Sequence, residues 1–179
     1  PDHVLGRQYA AIGMGSPRPE FTQPPAPPGA PLWAFRQAEA LRRAQKFTEW
    51  WIDHRQIANG EFGGGLSDDT DLTNLWPGVA LMGAAPEKHA DSIRRQLDAC
   101  YAQGMFMHGL PSIQTDELHC YEEGINSLAQ NLMLDHGSPR QLERAMETAR
   151  GTEGITGVNA AGHRHIRTSY FSGTRIAGE

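Results

Sequence analysis

Residues 163–175 hold His163, Arg164, His165, Arg167, Tyr170 and Arg175 with no acid among them. Arginine grips a carboxylate or sulfate through two parallel hydrogen bonds, and histidine and tyrosine move protons. The segment is basic although the chain carries a formal net charge of −5, so it reads as a seat for an anionic ligand. Its plain alternative is a solvated surface loop. The His163–x–His165 pair also offers two imidazoles to a metal, but no acidic ligand pattern follows closely. Neither a metal nor another cofactor is expected.

A second chemically dense stretch is IANGEFGGGLSDDTDL, residues 57–72. Glycines 63–65 permit close approach of a ligand to the backbone, and Glu61, Asp68, Asp69 and Asp71 are candidates for binding sugar hydroxyls or for acid/base work. Asp69 or Asp71 is equally suited to capping the helix that follows. The spacing is not that of an EF-hand calcium loop. Farther on stand His119, Glu122, Glu123 and Asn126, and offsets of three and four place His119, Glu122 or Glu123, and Asn126 along one helix face. Acids in a first helical turn are also favoured simply by the dipole. Trp76 lies near the acidic loop and is the candidate for stacking on a sugar ring; Trp50 and Trp51 are adjacent and cannot share one helix face.

These residues need elements to position them, and the apolar spacing predicts helices. Ala34, Ala38, Leu41, Ala44, Phe47 and Trp51 mark one over residues 32–56. A second runs within 71–82, kinked or opened by Pro77, and a third over 86–103 shows Ala90, Ile93, Leu97 and Cys100 on one stripe with Pro86 in its first turn. A fourth covers 119–136, with Tyr121, Ile125, Leu128 and Leu132 inward and Gly137 ending it. The fifth begins at Ser138, Pro139 and Gln141, which together spell a capping box, and ends near Gly151. No strand is expected before the final stretch. Two connections are short and three segments are longer than ten residues. In antiparallel helices alternate connections fall at opposite ends, so all three long segments share one end and form a rim.

The opening is different. Residues 16–31 contain seven of the twelve prolines and read as a linker, which divides the chain into a tail and linker over 1–31 and a helical domain over 32–179. At 179 residues, 39% hydrophobic and 21% charged, the chain can bury a globular core. Its acidic balance argues against nucleic acid as a partner. No segment approaches the roughly 20 apolar residues that span a bilayer, and the opening lacks a signal-peptide pattern. Because the chain opens on Pro1 rather than Met, secretion or export to a periplasm after removal of a signal is left open. Cys100 and Cys120 are too few for a disulfide framework or a cysteine-based zinc site and read as buried thiols.

Taken together, WWIDHRQIANGEFGGGLSDDTDL, ELHCYEEGINSLAQNLMLDHGSP and NAAGHRHIRTSYFSG resemble segments of the α/α-toroid carbohydrate-active enzymes, most of all their polysaccharide-lyase branch. The likeness spans about residues 33–175. It implies an all-α fold of antiparallel helical hairpins forming part of a toroid, with further hairpins or an upstream domain in a full-length parent. It further implies cleavage of an acidic, uronate-containing polysaccharide by β-elimination. Tyr170, His163 and His165 would then be catalytic, with Asn159, Arg167, Asn126, His119, Glu122, Glu123, Glu61, Asp68 and Trp76 binding substrate. Neutralising the uronate carboxylate is what makes the adjacent C5 proton removable. A glycoside hydrolase pairing Glu61 or Asp68 with Glu122 or Glu123, and a non-catalytic carbohydrate-binding or assembly module, are the alternatives.

Overall fold

The computed structural model describes residues 3–15, 17, 22–66, 68–111 and 127–166, and among them the chain is mainly helical. It divides into two compact units, Pro1–Ala38 and Glu39–Glu179. The first contains helix α1 (Val4–Gly13), whose start is capped by the His3 ring, Nδ1 accepting from the Gly6 amide at 3.1 Å. Leu5, Tyr9 and Ile12 form an exposed stripe along it. Helix α2 (Leu32–His54) continues from the first unit into the second.

In the second unit the predicted helix at 71–82 is two helices, α3 (Asp69–Thr73) and α4 (Leu75–Leu81), meeting at Asn74. Pro77 sits in the first turn of α4, where its missing N–H is not needed. After a turn at 82–85 comes α5 (Pro86–Ala102), with Pro86 in the first turn as its sequence requires. A tight hairpin follows, β1 (Phe106–Met107) against β2 (Leu110–Pro111). This is a correction to the expected absence of early strands. His108 and Gly109 both have positive φ, 53° and 75°, the backbone of a two-residue hairpin turn. Helix α6 (Gln130–Leu134) falls within the predicted fourth helix, of which residues 127–136 are described, and α7 (Pro139–Thr152) is the fifth. The expected capping box at its start is not formed, because the Ser138 side chain makes no cap bond and Gln141 turns inward, Nε2 reaching Asp135 Oδ2 at 3.4 Å. A single 3-10 turn (Glu153–Ile155) leads into β3 (Thr156–Val158), paired antiparallel with β4 (Arg164–Ile166).

Two apolar clusters make the core. One gathers Ile52, Phe62, Trp76 and Ile93; the other joins Leu66, Leu97, Ala99, Cys100, Phe106 and Leu128. The stripe expected on α2 is rotated: Thr48 and Ile52 are the buried pair, and Phe47 is exposed. On α5, Ile93, Leu97 and Cys100 are buried as expected, but His89, Ser92 and Gln96 lie among them. Each of these polar groups has a partner on another helix. Thr48 Oγ1 and His89 Nε2 are 2.6 Å apart, Trp76 Nε1 donates to Ser92 Oγ at 3.0 Å, and Thr73 Oγ1 donates to Gln96 Oε1 at 2.9 Å. From α6, Asn131 Nδ2 donates to the Ile93 carbonyl at 3.2 Å. Buried polar groups are tolerated on such terms.

Candidate functional site

The glycine-rich acidic loop is held from inside. Asp69, almost fully buried, accepts from the Phe62 amide at 2.6 Å and the Gly64 amide at 3.0 Å. Its carboxylate therefore folds the loop back on the start of α3. At Gly60, with φ +92°, a Cβ would lie 2.6 Å from the Arg95 carbonyl and the Gln96 amide; the loop backbone rests directly on α5, and only glycine allows that approach. Gln56 adds Nε2 bonds to the Gly60 carbonyl at 3.0 Å and the Ser92 carbonyl at 2.9 Å. Leu66 then reaches the cluster of Cys100 and Phe106, near the C-terminal end of α5. On this frame Glu61 is half-buried, and Asp68 and Asp71 are exposed.

The β1–β2 hairpin meets α7. Thr148 Oγ1 donates to the Gly109 carbonyl at 2.7 Å, and a Cβ on Gly109 would stand 2.2 Å from the Thr148 amide. Tyr101 stacks on Phe106, ring centroids 4.5 Å apart and 7° from parallel, and Arg144 lays its guanidinium 4.0 Å over the Tyr101 ring. Arg144 also pairs with Asp98 at 2.7 Å, as does Arg140 at 2.8 Å. Burial pushes the Tyr101 hydroxyl up to about 12, with Arg144 opposing and Glu147 reinforcing. Among the described residues the hydroxyl has no hydrogen-bond partner. His108, at the tip, is exposed. It was not singled out from sequence, and the available signal was the His-Gly dipeptide that marks the turn.

The third segment is the β3–β4 hairpin. Asn159 Oδ1 accepts from the Ala161 amide and the His163 amide, each at 3.0 Å, while the Asn159 amide donates to the His163 carbonyl at 2.9 Å. The Asn159 oxygen is thus committed to the turn, and its NH₂ group makes no hydrogen bond among the described residues. Pairing of Thr156 with Ile166 and Val158 with Arg164 places Arg164 on one face of the hairpin. His165 falls on the other, because side chains alternate along a strand; His163 directly precedes the strand. Arg164 Nη1 donates to Thr156 Oγ1 at 2.9 Å, and both histidines are exposed.

Trp76 is a correction. It is fully buried, edge-on to Phe62 and His89 with centroids 5.8 and 6.1 Å away. A ring fully buried in this way has no face to offer a sugar. His119, Glu122, Glu123, Asn126, Arg167 and Tyr170 lie outside the described residues, as does Cys120. Among the described residues no group of three or more His, Cys, Asp or Glu is placed to hold a metal ion, and no helix is long and apolar enough to cross a membrane. No protein family, curated protein or solved structure matches this chain.

Proposed function

We propose that the second unit is part of an α/α-toroid domain that binds an acidic polysaccharide and cleaves its uronate linkages by β-elimination. The observation that carries this reading is the gathering of connections at the C-terminal ends of α5 and α7. Leu66 of the acidic loop packs with Phe106 of the first hairpin, the first hairpin packs on α7, and α7 runs into the second hairpin, where His163 and His165 are exposed. Toroids place their polymer groove at such an end.

The chemistry assigned to these residues balances without a cofactor. Arg167 and the Asn159 NH₂ group neutralise the uronate carboxylate, so that charge developing at C5 is stabilised. His163 takes the C5 proton, with His165 beside it. The C5–H electrons form the C4–C5 double bond as the C4–O bond breaks, and Tyr170 protonates the departing oxygen. The test is incubation with a panel of uronate polymers, following the ultraviolet absorbance of the unsaturated end. Expected is absorbance rising with chain scission. New reducing ends without absorbance would replace the lyase by a hydrolase, and binding without turnover would leave a carbohydrate-binding module.

A further inference from the structure

Helix α7 is amphipathic the wrong way round for a helix that ends a core. Its inward positions are Gln141, Arg144, Ala145 and Thr148, with Gln141 1% exposed, whereas Leu142 and Met146 point outward at 58% and 47%. Helix α2 has a matching outward pair, Phe47 at 48% and Trp50 at 49%. Two large apolar residues one turn apart, left in water on each of two helices, are surface that a partner removes.

The flanking charges say which partner. On α7 the row one residue after the apolar pair is Glu143, Glu147 and Arg150; on α2 the row one residue before it is Arg42, Lys46 and Glu49. Both rows step by four and then three residues, and the sign at each step is opposite. Handedness gives the orientation. When two right-handed helices face each other in parallel, the side following the contact on one lies against the side preceding it on the other; in antiparallel pairing, following meets following. Only the parallel arrangement brings these two rows together. With Leu142 level with Phe47, it opposes Glu143 to Arg42, Glu147 to Lys46 and Arg150 to Glu49.

We propose that this chain associates with itself head to tail, the outer face of α7 of one copy packing in parallel on the outer face of α2 of the next. The occupant is a second copy because both halves of the match are written in this sequence. The inference goes beyond the proposed lyase activity and does not depend on it. Because the two patches differ, the contact is heterologous and repeats along an open or closed row of copies rather than stopping at a two-fold dimer. A single helix pair is a small interface, so the association is weak and dependent on concentration and salt.

Sedimentation equilibrium of the full chain over a concentration series at low salt tests this. Average mass should climb with concentration. Glu143→Lys with Glu147→Lys should weaken association about tenfold or more, and Arg42→Glu with Lys46→Glu should do the same. Placing all four in one chain should restore it, since the signs are then exchanged rather than lost. Mixing the two separately charge-reversed variants should restore association as well, because the unaltered α7 of one meets the unaltered α2 of the other and the two reversed rows attract; a chain carrying only Met146→Asp mixed with one carrying only Trp50→Asp should instead form a dimer and no more, because each keeps one good face. Circular dichroism of every variant checks that the helices persist. A chain monomeric throughout, association indifferent to both pairs of charge reversals, or failure of the fourfold variant to recover would overturn the proposal.

Discussion

The two hairpins are built on one plan and put to opposite uses. In β1–β2, Phe106, Gly109, Leu110 and Pro111 are buried and the turn is pressed against the backbone of α7; in β3–β4, residues 158–165 are exposed. A short pair of strands is marginal by itself. The first acquires its stability from the helices under it, whereas the second is closed by the Asn159 side chain and by Arg164 reaching Thr156. What separates them is residue type. Apolar side chains buy a place in the core at the cost of access, and the imidazoles of His163 and His165 keep access at the cost of packing.

The widest gap should open at the turn glycines. Gly109→Ala needs a Cβ among the Glu147 and Thr148 backbone atoms at 2.2 to 2.5 Å, with φ at +75°. Thermal or urea unfolding should show a loss of about 3 kcal/mol or more; a loss below about 1 kcal/mol would mean the hairpin does not rest on α7. Gly162, with φ +82° in the second turn, has nothing within 4 Å of such a Cβ. Gly162→Ala therefore pays only for the left-handed backbone, about 1 kcal/mol, and the same melts would show whether the two turns differ at all.

The stack beneath the first hairpin supplies a pH test. Tyr101 titrates at about 12 in the fold against 10.0 when exposed, so above pH 10 the unfolded chain releases this proton first. Its contribution is complete below pH 10 and is lost as pH rises towards 12. Stability should fall across that window, by on the order of 1 kcal/mol given the screening of a partly exposed ring. Tyr101→Phe should remove this part of the fall and cost little at neutral pH, since the hydroxyl it deletes has no hydrogen-bond partner among the described residues. An unchanged alkaline slope in the variant would break the link between burial and titration. Smallest of all should be the effect of His163→Ala with His165→Ala on folding, within about 0.5 kcal/mol. Measured beside it, loss of the unsaturated product would mark the second hairpin as the working one.

Much of this frame was legible in the sequence where a local rule governs a residue. Pro86 and Pro139 open their helices, and Ile93, Leu97 and Cys100 fall inward at helical spacing. The failures share a cause, which is that neighbours distant in sequence decided the outcome. Strands of two residues are too short to show alternation, so β1–β2 gave no pattern. Trp76 looked like a rim residue until Phe62 and His89 closed around it, and the stripe on α2 was displaced because Thr48, a polar residue, was drawn inward by His89. At the site, the opposite facing of Arg164 and His165 follows from their adjacency once a strand is granted. The binding of Asn159 into its own turn does not, because it depends on where the chain reverses.

The polar groups threaded along α5 carry a consequence of another kind. An oily helix can slip along its neighbours by one turn, about 5.4 Å, and exchange one aliphatic contact for another at modest cost. On α5 the positions His89, Ser92, the Ile93 carbonyl and Gln96 engage Thr48, Trp76, Asn131 and Thr73 in turn. A slip would strand all of them at once, at roughly 1 to 3 kcal/mol for each buried group left without a partner. The helix behaves less like a greased rod than like a key whose teeth admit one depth of insertion, and that depth sets the level at which its C-terminal end presents the loops.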